Sequence, residues 1–360
     1  MESESNITQT PGNTPIKSIP KDYFPDGCGF WYKLAEGLDA NKKMFFRDSK
    51  HRSGNPEKTL VFIHGNPENS YTYRKVIKNV IEYAKKPFRI VAMDHIGFGL
   101  SDQATYEMVC MDHADNLLEL VKYLDLRNVT LVIHDWGGPI GIGAFLKVPD
   151  RVNNLVILNS TIFPMPKTGL TYENYPGKWV NWARGPKIIS NHLWGSFAAF
   201  AIFCKPMKPL KLFIKMFFSI IAKQLGIYGK NEKVAQKVFK KQFKVKLNVI
   251  SSKRLVRQTK EWGHGNIYTE PQLGKRNTSP FYHFIQEKIY NFWGQVHKIG
   301  VRAIFGDWDP SAKPEVIKQW LKHLPQLEGH VKIFEGFSHF IEETKPKEIA
   351  NEIINVAGLI

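Results

Sequence analysis

The sequence predicts an α/β fold with a mostly parallel sheet, interrupted once by a long helical insertion. Three observations predict it. Short apolar, β-branched runs alternate with amphipathic stretches over the first 160 residues. That alternation then breaks over residues 161–290. It resumes near Val301 and continues to the C-terminus. Strands separated by helices argue for parallel pairing, with helices on both faces of the sheet.

The elements follow in order. Thr59–His64 is a continuous apolar run ending at Gly65, as a strand buried on both faces requires. Ser70–Tyr83 has helical spacing, and Arg89–Asp94 reads as a second buried strand. Apolar residues at 117, 118, 121 and 124 give Asp112–Leu124 one helical face. Val129–His134 is a third strand, followed by a helix over Gly138–Lys147, and Asn154–Asn159 is a fourth. After the insertion come a strand at Val301–Phe305, a helix at Pro314–Leu324, a strand at Val331–Phe334 and a last helix from about Lys345. The predicted division is a flexible tail over residues 1–21, a core of residues 22–160 and 291–360, and a basic helical cap over 161–290.

Composition narrows the function classes. The 360 residues are 43% hydrophobic and 13% aromatic, enough for a substantial core and against disorder. The three cysteines, Cys28, Cys110 and Cys204, form no CxxC pair, so neither a zinc cluster nor a disulfide framework is expected. The polar first twenty residues lack an apolar signal segment, and the expected location is cytoplasmic or peripheral to a membrane. The net charge of +17 is localised: residues 161–290 hold 23 Lys and Arg against 5 Asp and Glu, leaving −1 for the rest. No nucleic-acid-binding pattern accompanies that charge, so nucleic acid is not an expected partner. An anionic membrane surface is the partner such a cap would suit. Within it, Lys208, Lys211 and Lys215 share a helical face, with Phe213, Ile214, Phe217 and Phe218 elsewhere on the same stretch.

The chemistry begins where the third strand ends, at Ile133-His134-Asp135-Trp136-Gly137-Gly138. A strand entering a helix through a tight, glycine-assisted turn is a nucleophile elbow, and it puts Asp135 at the nucleophile position. Ile133 stands where the elbow pattern has its first glycine. A carboxylate there attacks an sp³ carbon and becomes an alkyl ester. His64-Gly65-Asn66-Pro67 ends an earlier strand and is placed to form an oxyanion hole from the Asn66 and Trp136 N–H groups. His339, in Gly336-Phe-Ser-His-Phe340, is the expected base. Asp309, in Gly306-Asp-Trp-Asp-Pro310, is preferred over Asp307 as its acid partner, because Asp307 follows the strand too closely to reach over. The order nucleophile, acid, histidine is that of the α/β-hydrolase fold, for which an eight-stranded sheet is expected. His64 and His134 are expected to be structural, and Asp94 and Asp102 to tie loops. Neither a cofactor nor a metal is expected.

These motifs, together with Ser70-Tyr71, Arg74 and Asp94-His-Ile-Gly-Phe-Gly-Leu-Ser-Asp102, resemble the haloalkane dehalogenases over about Thr59–Pro164 and from Val301 onward. An acid at Asp309, with Asn66 and Trp136, resembles the third subfamily. The resemblance implies that the indole N–H of Trp136 and the side-chain amide of Asn66 bind the leaving halide. It implies a small apolar or lipid-like substrate, with water as second reactant. The chain is also similar to the β-lactone decarboxylases of long-chain olefin biosynthesis, which share Asp94-His-Ile-Gly and the Asp-Asp-His set. Epoxide hydrolases are a further reading, and they require paired cap tyrosines, here from Tyr172, Tyr175, Tyr228, Tyr268, Tyr282 and Tyr290. A reading of another class is a non-catalytic relative that binds a lipid surface through its basic cap.

Overall fold

Each expected strand and helix of the core is present in the computed structural model, which describes residues 6–25, 27–178 and 181–360. The strands before the insertion are β1 (Ile7–Thr8), β2 (Gly29–Lys33), β3 (Lys43–His51), β4 (Lys58–Ile63), β5 (Phe88–Met93), β6 (Val129–His134) and β7 (Val152–Leu158). The insertion carries a hairpin, β8 (Ile267–Glu270) and β9 (Gly274–Asn277), and the core closes with β10 (Gly300–Gly306) and β11 (Val331–Phe334). The main sheet has the order β1-β2-β3-β5-β4-β6-β7-β10-β11. It is parallel from β5 to β11 and antiparallel at the β1–β2–β3 end.

Both faces of the central strands are buried, and side-chain alternation divides them between two cores. Leu60, Phe62, Val132, Val156 and Leu158 face one side, where α1 (Arg74–Tyr83) and the last helix pack. Val61, Ile63, Leu131, Ile133, Leu155 and Ile157 face the other, with α2 (Cys110–Tyr123) and α3 (Gly137–Phe145). This is why the strands read as unbroken apolar runs.

The sheet has nine strands where eight were expected. The extra strand is β1, from the segment expected to be a flexible tail. Ile7 pairs with Tyr32 and Thr8 with Trp31. Further along, Ile16 is fully buried and the Thr14 hydroxyl donates to the Gly99 carbonyl at 2.7 Å. Ile16 and Tyr23 join Trp31, Phe45 and Phe239 in a small third core. The polar composition concealed two apolar anchors. Residues 1–5 of the expected tail lie outside the described residues.

The insertion is mostly helical, as expected: α4 (Gly185–Ile188), α5 (Trp194–Ala201), α6 (Pro209–Gln224), α7 (Lys233–Lys241) and α8 (Lys246–Gln258). The β8–β9 hairpin was not expected. α9 (Ser279–Lys288) leads through a π-helical stretch, Ile289–Val296, toward β10. It packs on α3, the Phe281 ring filling the space beside Gly143. The expected cap boundary at residue 290 therefore falls inside a helix that rests on the core. The chain finishes with α10 (Pro314–His323), α11 (Ile341–Thr344) and α12 (Pro346–Ala357).

Candidate active site

Three loops at the carboxyl ends of parallel strands converge above the sheet. The turn between β6 and α3 holds Asp135 in a left-handed conformation, φ = 49°. A non-glycine residue pays for that conformation, and such strain collects at functional turns. The turn also runs against the end of β4. A methyl group on Gly137 would overlap the Ile63 carbonyl, and one on Gly65 would lie 2.5 Å from the Asp135 carboxylate. Glycine at both positions lets the two loops touch. The Ser160 hydroxyl then pins the turn by donating to the Asp135 carbonyl at 2.6 Å.

The carboxylate of Asp135 is buried and its two oxygens are differently engaged. Oδ2 accepts the backbone N–H of Asn66 at 2.8 Å. Oδ1 lies 3.3 Å from Nε2 of His339. On the far side of that imidazole, Nδ1 meets Asp309 Oδ2 at 2.6 Å. Asp309 also accepts from the Ser311 N–H at 2.8 Å and from the Ser311 hydroxyl. Asp307 is exposed and accepts from Gly336 N–H at 2.9 Å, away from the histidine. The three residues singled out in the sequence thus form one contiguous line.

Burial works to lower the proton affinity of His339, but the charge of Asp309 and the bonds to Asp135 and Asp309 outweigh it. The result is an affinity well above the ordinary histidine range. An imidazole between two carboxylates keeps its proton while both remain charged.

Asn66 and Trp136 flank the same spot. With Asp135, His339, Tyr172, Trp182, Val256 and Thr259 they enclose a cavity of about 10 Å³, the space of about one water. The Asn66 side chain is oriented from the cap: Ser252 Oγ donates to its Oδ1 at 2.5 Å, and its Nδ2 donates to the Ser252 carbonyl at 3.3 Å. An amide carries two N–H bonds, so one stays available to the cavity. The indole of Trp136 packs against Trp262, 4.2 Å between centroids and tilted by 41°, and the N–H of Trp262 is held by the Thr161 carbonyl. Of the six cap tyrosines, Tyr172 lines this cavity, while Tyr175 receives the His339 backbone N–H at 3.2 Å.

Sequence reasoning missed the support beneath the site. His134, expected to be a packing residue, is fully buried between two carboxylates. Its Nδ1 meets Glu68 Oε1 at 2.6 Å, and its Nε2 lies 2.9 Å from the His339 carbonyl and 3.5 Å from Glu342 Oε2. Glu68 also accepts the Gly65 N–H at 2.7 Å. Burial opposes protonation of His134, yet Glu342 and Glu68 raise it to about 9. Burial foremost raises Glu342 to about 8. The ligand-capable atoms of the three residues lie within 4.8 Å of one another. Both imidazole nitrogens already serve protein groups, so the cluster reads as a buried ion triad. His64 is also structural, accepting the His95 N–H at 3.0 Å. Asp94 ties loops through Tyr23, Ser70 and Leu100, and Asp102 through Lys43.

A family profile described as alpha/beta hydrolase fold matches residues 58–191. The chain superposes on the haloalkane dehalogenase DpaA from Paraglaciecola agarilytica NO2 with a TM-score of 0.61, covering 95% of this chain and 97% of that one, at 20% identity. The chain has the α/β-hydrolase fold. DatA, a haloalkane dehalogenase from Agrobacterium tumefaciens C58, gives a TM-score of 0.60 over 95% of this chain and 100% of that one, at 16% identity. In sequence, the chain is 40% identical over 113 residues to a cis-3-alkyl-4-alkyloxetan-2-one decarboxylase of Shewanella oneidensis, covering 30% of this chain and 34% of that protein. It is 30% identical over 154 residues to a haloalkane dehalogenase of Agrobacterium fabrum, covering 43% of this chain and 46% of that protein. The matched stretches thus span about a third to a half of these relatives. The resemblance drawn from the motifs is therefore found in both directions it was read, toward dehalogenases and toward β-lactone decarboxylases.

Proposed function

We propose that this protein is a hydrolase that attacks an sp³ carbon with Asp135 and passes through an alkyl–enzyme ester, with carbon–halogen hydrolysis as its leading activity. The observation that carries this reading is the line Asp135–His339–Asp309 at a strained elbow, with a carboxylate where other hydrolases hold a hydroxyl. Oδ2 of Asp135 already rests on the Asn66 N–H, so Oδ1 is the attacking atom. The bond from Oδ1 to carbon forms as the carbon–halogen bond breaks, and the halide leaves toward the Asn66 amide and the Trp136 indole. N–H donors in a dry cavity act where that charge accumulates.

Esterification removes the charge of Asp135, and with it part of the pull that keeps His339 protonated. The imidazolium gives its proton to solvent, and the neutral imidazole then takes one from water, whose oxygen adds to the ester carbonyl. The backbone N–H groups of Asn66 and Trp136 hold the resulting oxyanion, and Asp309 stabilises the imidazolium. Collapse breaks the bond between the carbonyl carbon and the alkoxide oxygen, the imidazolium protonates the departing alkoxide to the alcohol, and Asp135 returns to a carboxylate by releasing the remaining water proton. No cofactor enters this sequence.

A second reading is favoured by the decarboxylase relatives. The same Asp135 could open a long-chain β-lactone, with loss of carbon dioxide giving an alkene. The epoxide reading requires two convergent acidic tyrosines, and burial pushes Tyr172 well above the ordinary range. We assign the cap to residues 161–290, with α9 resting on the core, and the location to an anionic membrane edge. No described helix is long and apolar enough to cross a membrane.

The deciding test is a single-turnover screen with brominated alkanes, a styrene-type epoxide and a long-chain cis-β-lactone, against Asp135→Asn. Bromide release lost in the control supports the dehalogenase. Alkene from the lactone alone moves the assignment to the decarboxylase. Product from Asp135→Asn at the normal rate would overturn the nucleophile.

A further inference from the structure

We propose that α6 lies along an anionic lipid surface and roofs the passage by which a long alkyl substrate leaves that surface for Asp135. The docking half stands on surface chemistry alone, and the passage half rests on the aspartyl-ester reading above.

The helix has two apolar sides. Leu212, Met216 and Ile220 are buried, facing the molecule. The opposite side is apolar as well, with Phe217 54%, Phe218 64% and Leu225 73% exposed. At 100° per residue, Phe213, Ile214, Phe217, Phe218 and Ile221 fall on one outward arc, and Lys211 and Lys215 lie along its edge. Contiguous exposed apolar surface of this kind marks a site of contact. An apolar stripe bordered by lysines is the form of a helix lying in a membrane interface. The 16 residues of α6 would extend about 24 Å, short of a bilayer's hydrocarbon thickness of about 30 Å.

Charge selects the occupant. Residues 205–230 contain six lysines and no aspartate or glutamate. A second copy of this chain would bring those charges against like charges, and interface cores are depleted in lysine. An anionic leaflet attracts them.

The inner side of α6 gives the surface a purpose. Leu212 and Met216, with Phe197 and Phe200 of α5, line an apolar cavity of about 40 Å³ beneath the helix. Ser338 and Phe340, either side of His339, also line it. Trp182 borders both this cavity and the one that holds Asp135 and His339. Trp182 is thus the side chain shared by the apolar cavity under the docking helix and the cavity of the candidate nucleophile.

The test uses the full chain and two variants, Phe217→Ser/Phe218→Ser/Leu225→Ser and Lys211→Glu/Lys215→Glu. Flotation is measured with phosphatidylglycerol–phosphatidylcholine vesicles and with phosphatidylcholine alone. The expected result is binding to the anionic vesicles only, weakened by salt and reduced about tenfold or more in each variant. Ester formation with a short water-soluble bromoalkane should be unchanged in both variants, while reaction with a long-chain substrate held in vesicles should fall. Absent flotation, or equal flotation of the wild type and the serine variant, overturns the docking. A dimer in sedimentation that the serine variant dissociates assigns α6 to a second copy instead and also overturns it. Flotation as expected, with no Asp135 ester from any long-chain substrate, keeps the docking and overturns the passage.

Discussion

Replacing His339 with glutamine removes the base and leaves the nucleophile in place. The two steps of the proposed reaction depend on His339 unequally. Attack needs Asp135 Oδ1 and the leaving-group donors, and Oδ2 remains held by Asn66 N–H at 2.8 Å. Ester hydrolysis needs the base, whose loss costs about 10²–10⁴-fold. From a typical turnover of about 10 s⁻¹, the ester of His339→Gln would persist for roughly 10 to 1,000 s. That is long enough for acid quench and intact-mass measurement after a few seconds with a brominated alkane. The expected spectrum shows protein plus one alkyl group, and peptide mapping puts it on Asp135. An unmodified protein that has nevertheless released a stoichiometric amount of bromide would refute the ester mechanism.

The remaining predictions concern the groups around that pair. Asp309→Asn should lower turnover by about 10³–10⁴-fold, as loss of the orienting carboxylate does in comparable triads, while Asp307→Asn should leave it nearly unchanged. Steady-state rates of the two variants side by side decide between the acids. Trp136→Phe keeps the ring and removes the N–H, and bromide release should fall by about 10²–10³-fold; equal rates would remove Trp136 from the halide site. Gly137→Ala places a methyl group against the Ile63 carbonyl and should cost about 1–3 kcal/mol, read as a lowered chemical-denaturation midpoint. The buried triad makes stability pH-dependent. His134 and Glu342 both bind protons more tightly when folded, at about 9 and about 8, than when unfolded. Their contribution is therefore present in full below the unfolded values and is lost as pH rises through the folded ones. The melting temperature should decline between about pH 4.5 and 9, less steeply in Glu342→Gln; parallel slopes would exclude the triad as the cause.

Much of the core was legible because its signals are local. A strand buried on both faces writes a continuous apolar run, and an elbow writes a nucleophile beside small residues. Asp135 and Asp309 each follow such a strand and His339 follows the half-exposed edge strand β11, so order and position led to them. Glu68 and Glu342 left no comparable mark. A glutamate three residues after Asn-Pro's flanking glycine looks like any loop acid until the fold closes it over His134. Ser252 and Trp182 were unreadable for another reason. Cap residues reach the site by helix packing, which imposes no fixed spacing from the nucleophile. The N-terminal segment misled because polarity averaged over twenty residues hid Ile7 and Ile16. The β8–β9 hairpin was hidden because only alternate residues, Tyr268 and Glu270, are buried in one of its strands.

The cavity around Asp135 has room for about one water, and this alters what affinity means for such a protein. A substrate larger than water enters only where a lining side chain such as Trp182, or the cap itself, has moved aside, so the measured affinity is the intrinsic one multiplied by the fraction already open. An open fraction of about 1% weakens apparent binding about a hundredfold. Anything that favours the open arrangement then raises apparent affinity without touching the substrate. Selectivity under that regime belongs partly to the setting of the molecule, and two compounds of equal fit would be ranked by where they meet it.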